Sequence, residues 1–160
     1  PPQMWFAVAN VKPLTPQQYA AALLFGTRNP SQFASEDVVK NQTEIDSVHA
    51  QARTLAAKFD VPSDGFQVSV DEALLFSNDA ALEKDLLANR ADRLIGELMI
   101  LSTDTEVVAA ASKSIMNRPV TNQEQRAMMK YLKQRKDRRE AAVIQLVWAL
   151  LTSSEVRFNY

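Results

Sequence analysis

The stretch Thr103-Asp104-Thr105-Glu106-Val107-Val108-Ala109-Ala110-Ala111-Ser112-Lys113-Ser114-Ile115 decides the fold class. A threonine followed three residues later by a glutamate is a reciprocal helix cap, since each side chain can accept a hydrogen bond from the other residue's backbone N–H. Val107, Val108, Ala111 and Ile115 then recur at the three-and-four spacing of one buried helix face. The signature appears twice more, at Thr15-Pro16-Gln17-Gln18 and at Thr121-Asn122-Gln123-Glu124. Three such caps, with almost no period-two alternation, predict an all-α chain. The expected architecture is an irregular bundle of about six to seven helices with a largely apolar C-terminal helix at its centre.

Outward from that stretch, the pattern stays helical. Asn117-Arg118-Pro119 ends the Thr103 helix, because proline disfavours helical geometry in the residue before it. The Thr121 helix carries Met128, Tyr131 and Leu132. The C-terminal helix, expected over 138–153, runs through Ile144, Val147, Trp148 and Leu151 and is apolar on nearly all sides, so Trp148 is expected to be buried. Toward the N-terminus, 90–101 carries Leu94, Ile95, Leu98, Met99 and Leu101. Two shorter helices are expected over 71–76 and from Asp79 into Leu87. Val61-Pro62-Ser63-Asp64-Gly65 is the strongest breaker, and Phe66, Val68 and Val70 read as an extended connector after it. A helix over 36–59, capped by Ser35, buries Ile45, Val48, Ala52, Leu55, Ala56 and Phe59. The first helix starts at the Thr15 cap and is expected to end at Gly26.

The whole of 1–160 is read as one helical domain. The opening Pro1-Pro2 suggests a piece of a larger multidomain protein, and Met4, Trp5 and Phe6 are expected to dock on the domain as an apolar arm. With 46% hydrophobic and 23% charged residues and a net charge of −1, the chain is neither disordered nor suited to binding nucleic acid through bulk charge. It has no cysteine, which excludes disulfides, thiolate metal sites and c-type haem attachment. One histidine and three glycines leave no material for a His-rich metal site or a glycine-rich phosphate loop. No cofactor is expected. No apolar run reaches the length of a membrane span, since Ala141–Leu151 is short and interrupted by Gln145.

Charge is unevenly spread. Residues 113–140 hold nine of the 18 basic residues and three acids, including Lys133-Gln134-Arg135-Lys136-Asp137-Arg138-Arg139. Lys130, Lys133, Arg135, Lys136, Arg138 and Arg139 are therefore the candidate anion-binding set, for an acidic glycan or an acidic protein face. The competing reading is a solvated helix–helix junction. His49, with Asp46 three residues before it and Arg53 four after, has no accompanying nucleophile elbow and reads as a rim histidine. Asp71, Glu72, Asp79, Glu83 and Asp85 lie in expected first turns, where carboxylates complement the helix dipole, and no catalytic or metal residue is assigned.

Three segments together carry a resemblance. They are Asn10-Val11-Lys12-Pro13-Leu14-Thr15-Pro16-Gln17-Gln18-Tyr19, Met116-Asn117-Arg118-Pro119-Val120-Thr121-Asn122-Gln123-Glu124, and Leu146-Val147-Trp148-Ala149-Leu150-Leu151-Thr152-Ser153-Ser154-Glu155-Val156-Arg157-Phe158-Asn159. The chain resembles the C-terminal part of the planctomycete-type domain of unknown function found in large exported bacterial proteins. Cytochrome-c-like or carbohydrate-binding-like domains often lie upstream in that family. It departs from the family at Thr152, where asparagine is common, and at Tyr160, where histidine is. The resemblance implies a periplasmic or cell-surface parent whose upstream domains are the partners, and it implies no catalytic residue. The resulting expectation is a non-catalytic assembly or interaction module, with anion binding through the basic segment as the alternative and a polysaccharide-acting enzyme domain as a third.

Overall fold

A computed structural model describes residues 12–59 and 84–159. Seven α-helices lie wholly among them: α1 (Pro16–Thr27), α2 (Val38–Ala56), α3 (Leu94–Ile100), α4 (Asp104–Met116), α5 (Asn122–Lys133), α6 (Arg139–Leu151) and α7 (Ser154–Arg157), and residues 84–86 are helical as well. Short 3-10 turns cover Pro30–Phe33 and Lys136–Arg138. The chain is an all-α bundle, as the caps and periodicity predict. The expected helix over 71–76, the breaker at 61–65, the connector and the Met4–Trp5–Phe6 arm fall outside the described residues.

Thr15, Thr103 and Thr121 each cap a helix, and each makes both hydrogen bonds of the reciprocal box. Other boundaries move. Helix α1 continues through Gly26 to Thr27, because Gly26 is a packing position: a Cβ there would lie 3.5 Å from Leu151 Cδ2 and 3.6 Å from Ile115 Cα. Asp37, not Ser35, caps α2, accepting from the N–H groups of Val39 and Lys40, while the Ser35 hydroxyl accepts from the Asp37 N–H. Helix α2 ends at Ala56, and Phe59 turns back to meet the Tyr19 ring at a tilt, 5.2 Å between ring centroids. Asn117 adopts the left-handed conformation (φ 54°) and ends α4 one residue before Arg118.

The core joins Leu23 and Leu24 of α1, Val48 and Ala52 of α2, Ile95 and Leu98 of α3, Val107, Val108 and Ala111 of α4, and Val143, Val147 and Leu151 of α6. Helix α4 touches α1, α3, α5, α6 and α7, while α6 touches α3, α4 and α5. The two share the centre. Helix α6 buries Ala142, Val143, Leu146, Val147, Leu150 and Leu151, but Trp148 is half-buried against the edge of the core. The α6 surface facing away from the core holds Ala141, Gln145 and Ala149, and Gln145 accepts a hydrogen bond from the Tyr131 hydroxyl of α5. That bond accounts for the polar interruption in an otherwise apolar run.

One element has no counterpart in the sequence reading. Lys12–Pro13 (β1) pairs antiparallel with Phe158–Asn159 (β2), in the register Lys12 to Asn159 and Pro13 to Phe158. Two residues are too few for an alternation signal, so this pairing is visible only once the helices bring the segments together.

Candidate functional site

The basic segment divides into two groups. Arg135 lies over the Tyr131 ring, 3.9 Å from its centroid, and donates to the Tyr131 carbonyl oxygen. Arg139 pairs with Asp104 in the first turn of α4. Arg139 thereby ties the start of α6 to α4, while the Arg135 contacts stay within the end of α5 and the turn after it. The side chains of Lys130, Lys133, Lys136 and Arg138 are exposed and form no hydrogen bond or ion pair among the described residues. Arg126, which the sequence reading did not single out, joins them: it is exposed, and Arg126, Lys130 and Lys133 recur at the spacing of one helix face.

Residues from three separate parts of the chain, around Leu14, Arg118 and Arg157, come together in space. Arg118 lies between two carboxylates, with Nη2 at 2.7 Å from Glu124 Oε1 and Nε at 2.5 Å from Glu155 Oε1. The pairing lowers the Glu124 pKa from its ordinary 4.5 to about 2, chiefly through the Arg118 hydrogen bond and then through its bonds from Thr121. The Ser112 hydroxyl donates to the Arg118 carbonyl oxygen at 2.9 Å. Nearby, the Leu14 N–H donates to the Arg157 carbonyl oxygen, Arg157 Nη1 donates back to Leu14, and the Arg157 guanidinium sits 4.5 Å from the Tyr19 ring centroid. The Arg118–Glu155 and Leu14–Arg157 contacts tie one segment of chain to another.

A second charged cluster involves residues absent from the candidate set. The turn before α3 packs so closely on the helix that a Cβ on Gly96 would lie 2.0 Å from the Arg90 carbonyl oxygen. Asn29 fastens the same turn to the end of α1, its N–H donating to Asp92 and its side chain to Ala91. Arg28, Arg90 and Arg93 are thereby gathered around Asp85 and Asp92. Arg93 Nη2 is 3.0 Å from Asp85 Oδ1, and Arg90 grips Asp92 through Nε and Nη2. Arg93 is only 3% exposed, and burial pushes its pKa down. Its Nε and Nη1, together with Arg28 Nε, have no hydrogen-bond acceptor. The Arg90-Ala91-Asp92-Arg93 run was legible in the sequence, but its partner Arg28 comes from the far end of α1. Beside the cluster lies an open cleft of about 350 Å³, with Leu24, Leu55, Leu86, Gln51 and Asp85 among its lining residues.

His49 is exposed, with its ring edge-on to Phe25 at 5.5 Å, and Asp46 accepts from the Gln42 side chain. Of the acidic set, Asp85 is bonded to Arg93, while Asp71, Glu72, Asp79 and Glu83 lie outside the described residues. Among the described residues no helix is long and apolar enough to cross a membrane. Comparison of the chain with protein-family models, with curated proteins and with solved structures finds no match.

Proposed function

We propose that this chain is a non-catalytic helical assembly or interaction module of an exported bacterial multidomain protein, and that it meets an anionic partner through the outer face of α5 and the turn after it. The observation that carries the reading is the set of exposed, unpaired cations at Arg126, Lys130, Lys133, Lys136 and Arg138. Elsewhere in the bundle, Arg118, Arg139 and Arg93 are engaged by carboxylates. A row of cations spread over about 10 Å of helix, in a segment where basic residues outnumber acids nine to three, suits an acidic protein face or an acidic glycan. Export and the bacterial source rest on the family resemblance alone.

The test is calorimetric titration with polyglutamate and with a sulfated glycan, at low and high salt. The reversal Lys130→Glu, Lys133→Glu, Lys136→Glu leaves Arg135 and Arg139 in place, because Arg135 packs on Tyr131 and Arg139 ties α6 to α4. It is expected to abolish binding with an unchanged melting temperature, and native binding is expected to weaken steeply with salt. Failure of the native protein to bind either polyanion at low salt overturns the reading.

A further inference from the structure

The free cations of α5 form a strip. At the ordinary helical repeat, Arg126, Lys130 and Lys133 fall within about 60° of the helix circumference, separated by about 6 Å and then about 4.5 Å along its axis. Lys136 and Arg138 continue the series into the 3-10 turn. Asp137 and Glu140 are exposed acids of the same stretch, and neither pairs with these cations. Gln123, Lys130 and Gln134 share one edge of the strip by helical spacing, and both glutamine side chains are exposed and free of hydrogen bonds. The only aromatic ring of α5, Tyr131, lies under Arg135. Among the described residues, the exposed large apolar side chains are Val38, Val39 and Ile100, which stand on α2 and α3.

Resting on the reading above that this face meets an anion, we propose that its partner is a linear acidic polysaccharide lying along α5. The centre of a folded-protein interface is poor in lysine and built around apolar and aromatic side chains. This strip is the reverse, with three lysines, two arginines and flanking amides. An acidic sugar chain carries hydroxyls beside its anionic groups. An amide side chain both donates to and accepts from a hydroxyl, whereas an ionised carboxylate only accepts. The amide oxygens of Gln123 and Gln134 therefore find donors on a glycan and none on a run of glutamate side chains. Single-stranded nucleic acid is held by stacking its bases on aromatic rings, and the Tyr131 ring is already taken by Arg135.

Hexagalacturonate and hexaglutamate carry the same number of side carboxylates and differ in their hydroxyls. Both are titrated calorimetrically into the full chain at low salt, with hexathymidylate as the nucleic-acid arm. Hexagalacturonate is expected to bind at least fivefold more tightly than either. The double variant Gln123→Ala, Gln134→Ala is expected to lose at least threefold in hexagalacturonate affinity while hexaglutamate affinity stays unchanged, which also reports that the fold is intact. Binding of hexaglutamate or hexathymidylate as tight as that of hexagalacturonate overturns the glycan and leaves the anion-binding face standing. So does a failure of hexagalacturonate to bind where polyglutamate does. An unchanged hexagalacturonate affinity in the double variant, or an equal loss for both ligands, overturns it as well.

Discussion

Arg118 grips two carboxylates from different parts of the chain, Glu124 in the first turn of α5 and Glu155 in α7. All three side chains are about one-third exposed, so solvent screening reduces what the pairs contribute. Two bidentate contacts nevertheless make a stiffer junction than isolated surface pairs. Replacing Arg118 with glutamine is expected to lower the urea unfolding midpoint at pH 7. The depressed pKa of Glu124 sets the sign of the pH effect. The stability it supplies is fully present above its ordinary value of 4.5 and is lost as pH falls toward about 2. Native protein should therefore lose stability across that window more steeply than Arg118→Gln, in which the carboxylate no longer has its partner. Equal slopes for the two proteins would show that the pairing contributes nothing.

The helices differ in what holds their ends. Helices α1, α4 and α5 carry complete threonine boxes, so Thr121→Ala should cost about 1 kcal/mol, measured by thermal or urea unfolding. Helix α3 has no side-chain cap at its N-terminus and depends on the turn folded against it. Gly96 is what permits that approach, since any Cβ would meet the Arg90 backbone rather than a flexible side-chain end. Gly96→Ala is expected to cost at least about 2 kcal/mol through overpacking, although alanine is the better helix former at an unconstrained site. A neutral or stabilising result would place the 90–93 turn elsewhere in solution. The same substitution should loosen the Arg28–Arg93 cluster, which that turn assembles.

In the bundle as a whole, burial is concentrated on the sides of α1, α4 and α6 that face one another. Leu23 is 0% exposed, and its truncation to alanine should cost about 2–5 kcal/mol. Trp148 is larger but only half-buried, so Trp148→Ala should cost less than Leu23→Ala in the same denaturation experiment, despite removing more atoms. The reverse order would mean that the outer edge of α6 is more enclosed than described. The β1–β2 pair and Arg157 hold the segment before α1 beside the segment after α7.

Helical class, the three threonine caps and most of the core were readable from residues 14–27, 35–59 and 94–151, because capping and helical periodicity are local properties of the chain. Each needs only neighbours three or four positions apart. Trp148 shows the limit of that reasoning: an all-round apolar helix looks uniformly buried in sequence, yet which side meets solvent depends on where α4 and α5 lie. The basic segment was legible as a run of charges, but its division was not. Arg139 is engaged by Asp104 and Arg135 by Tyr131, whereas Lys130, Lys133, Lys136 and Arg138 face outward. The Arg118 junction, the β1–β2 pairing and the Arg28–Arg90–Arg93 cluster came from packing alone. Each joins residues distant in the chain, and an electrostatic or hydrogen-bonding partner is set by distance in space. Local sequence determined the helices and their ends, while the packing of those helices chose which charges were matched and which were left exposed, since an ion pair depends on distance in space.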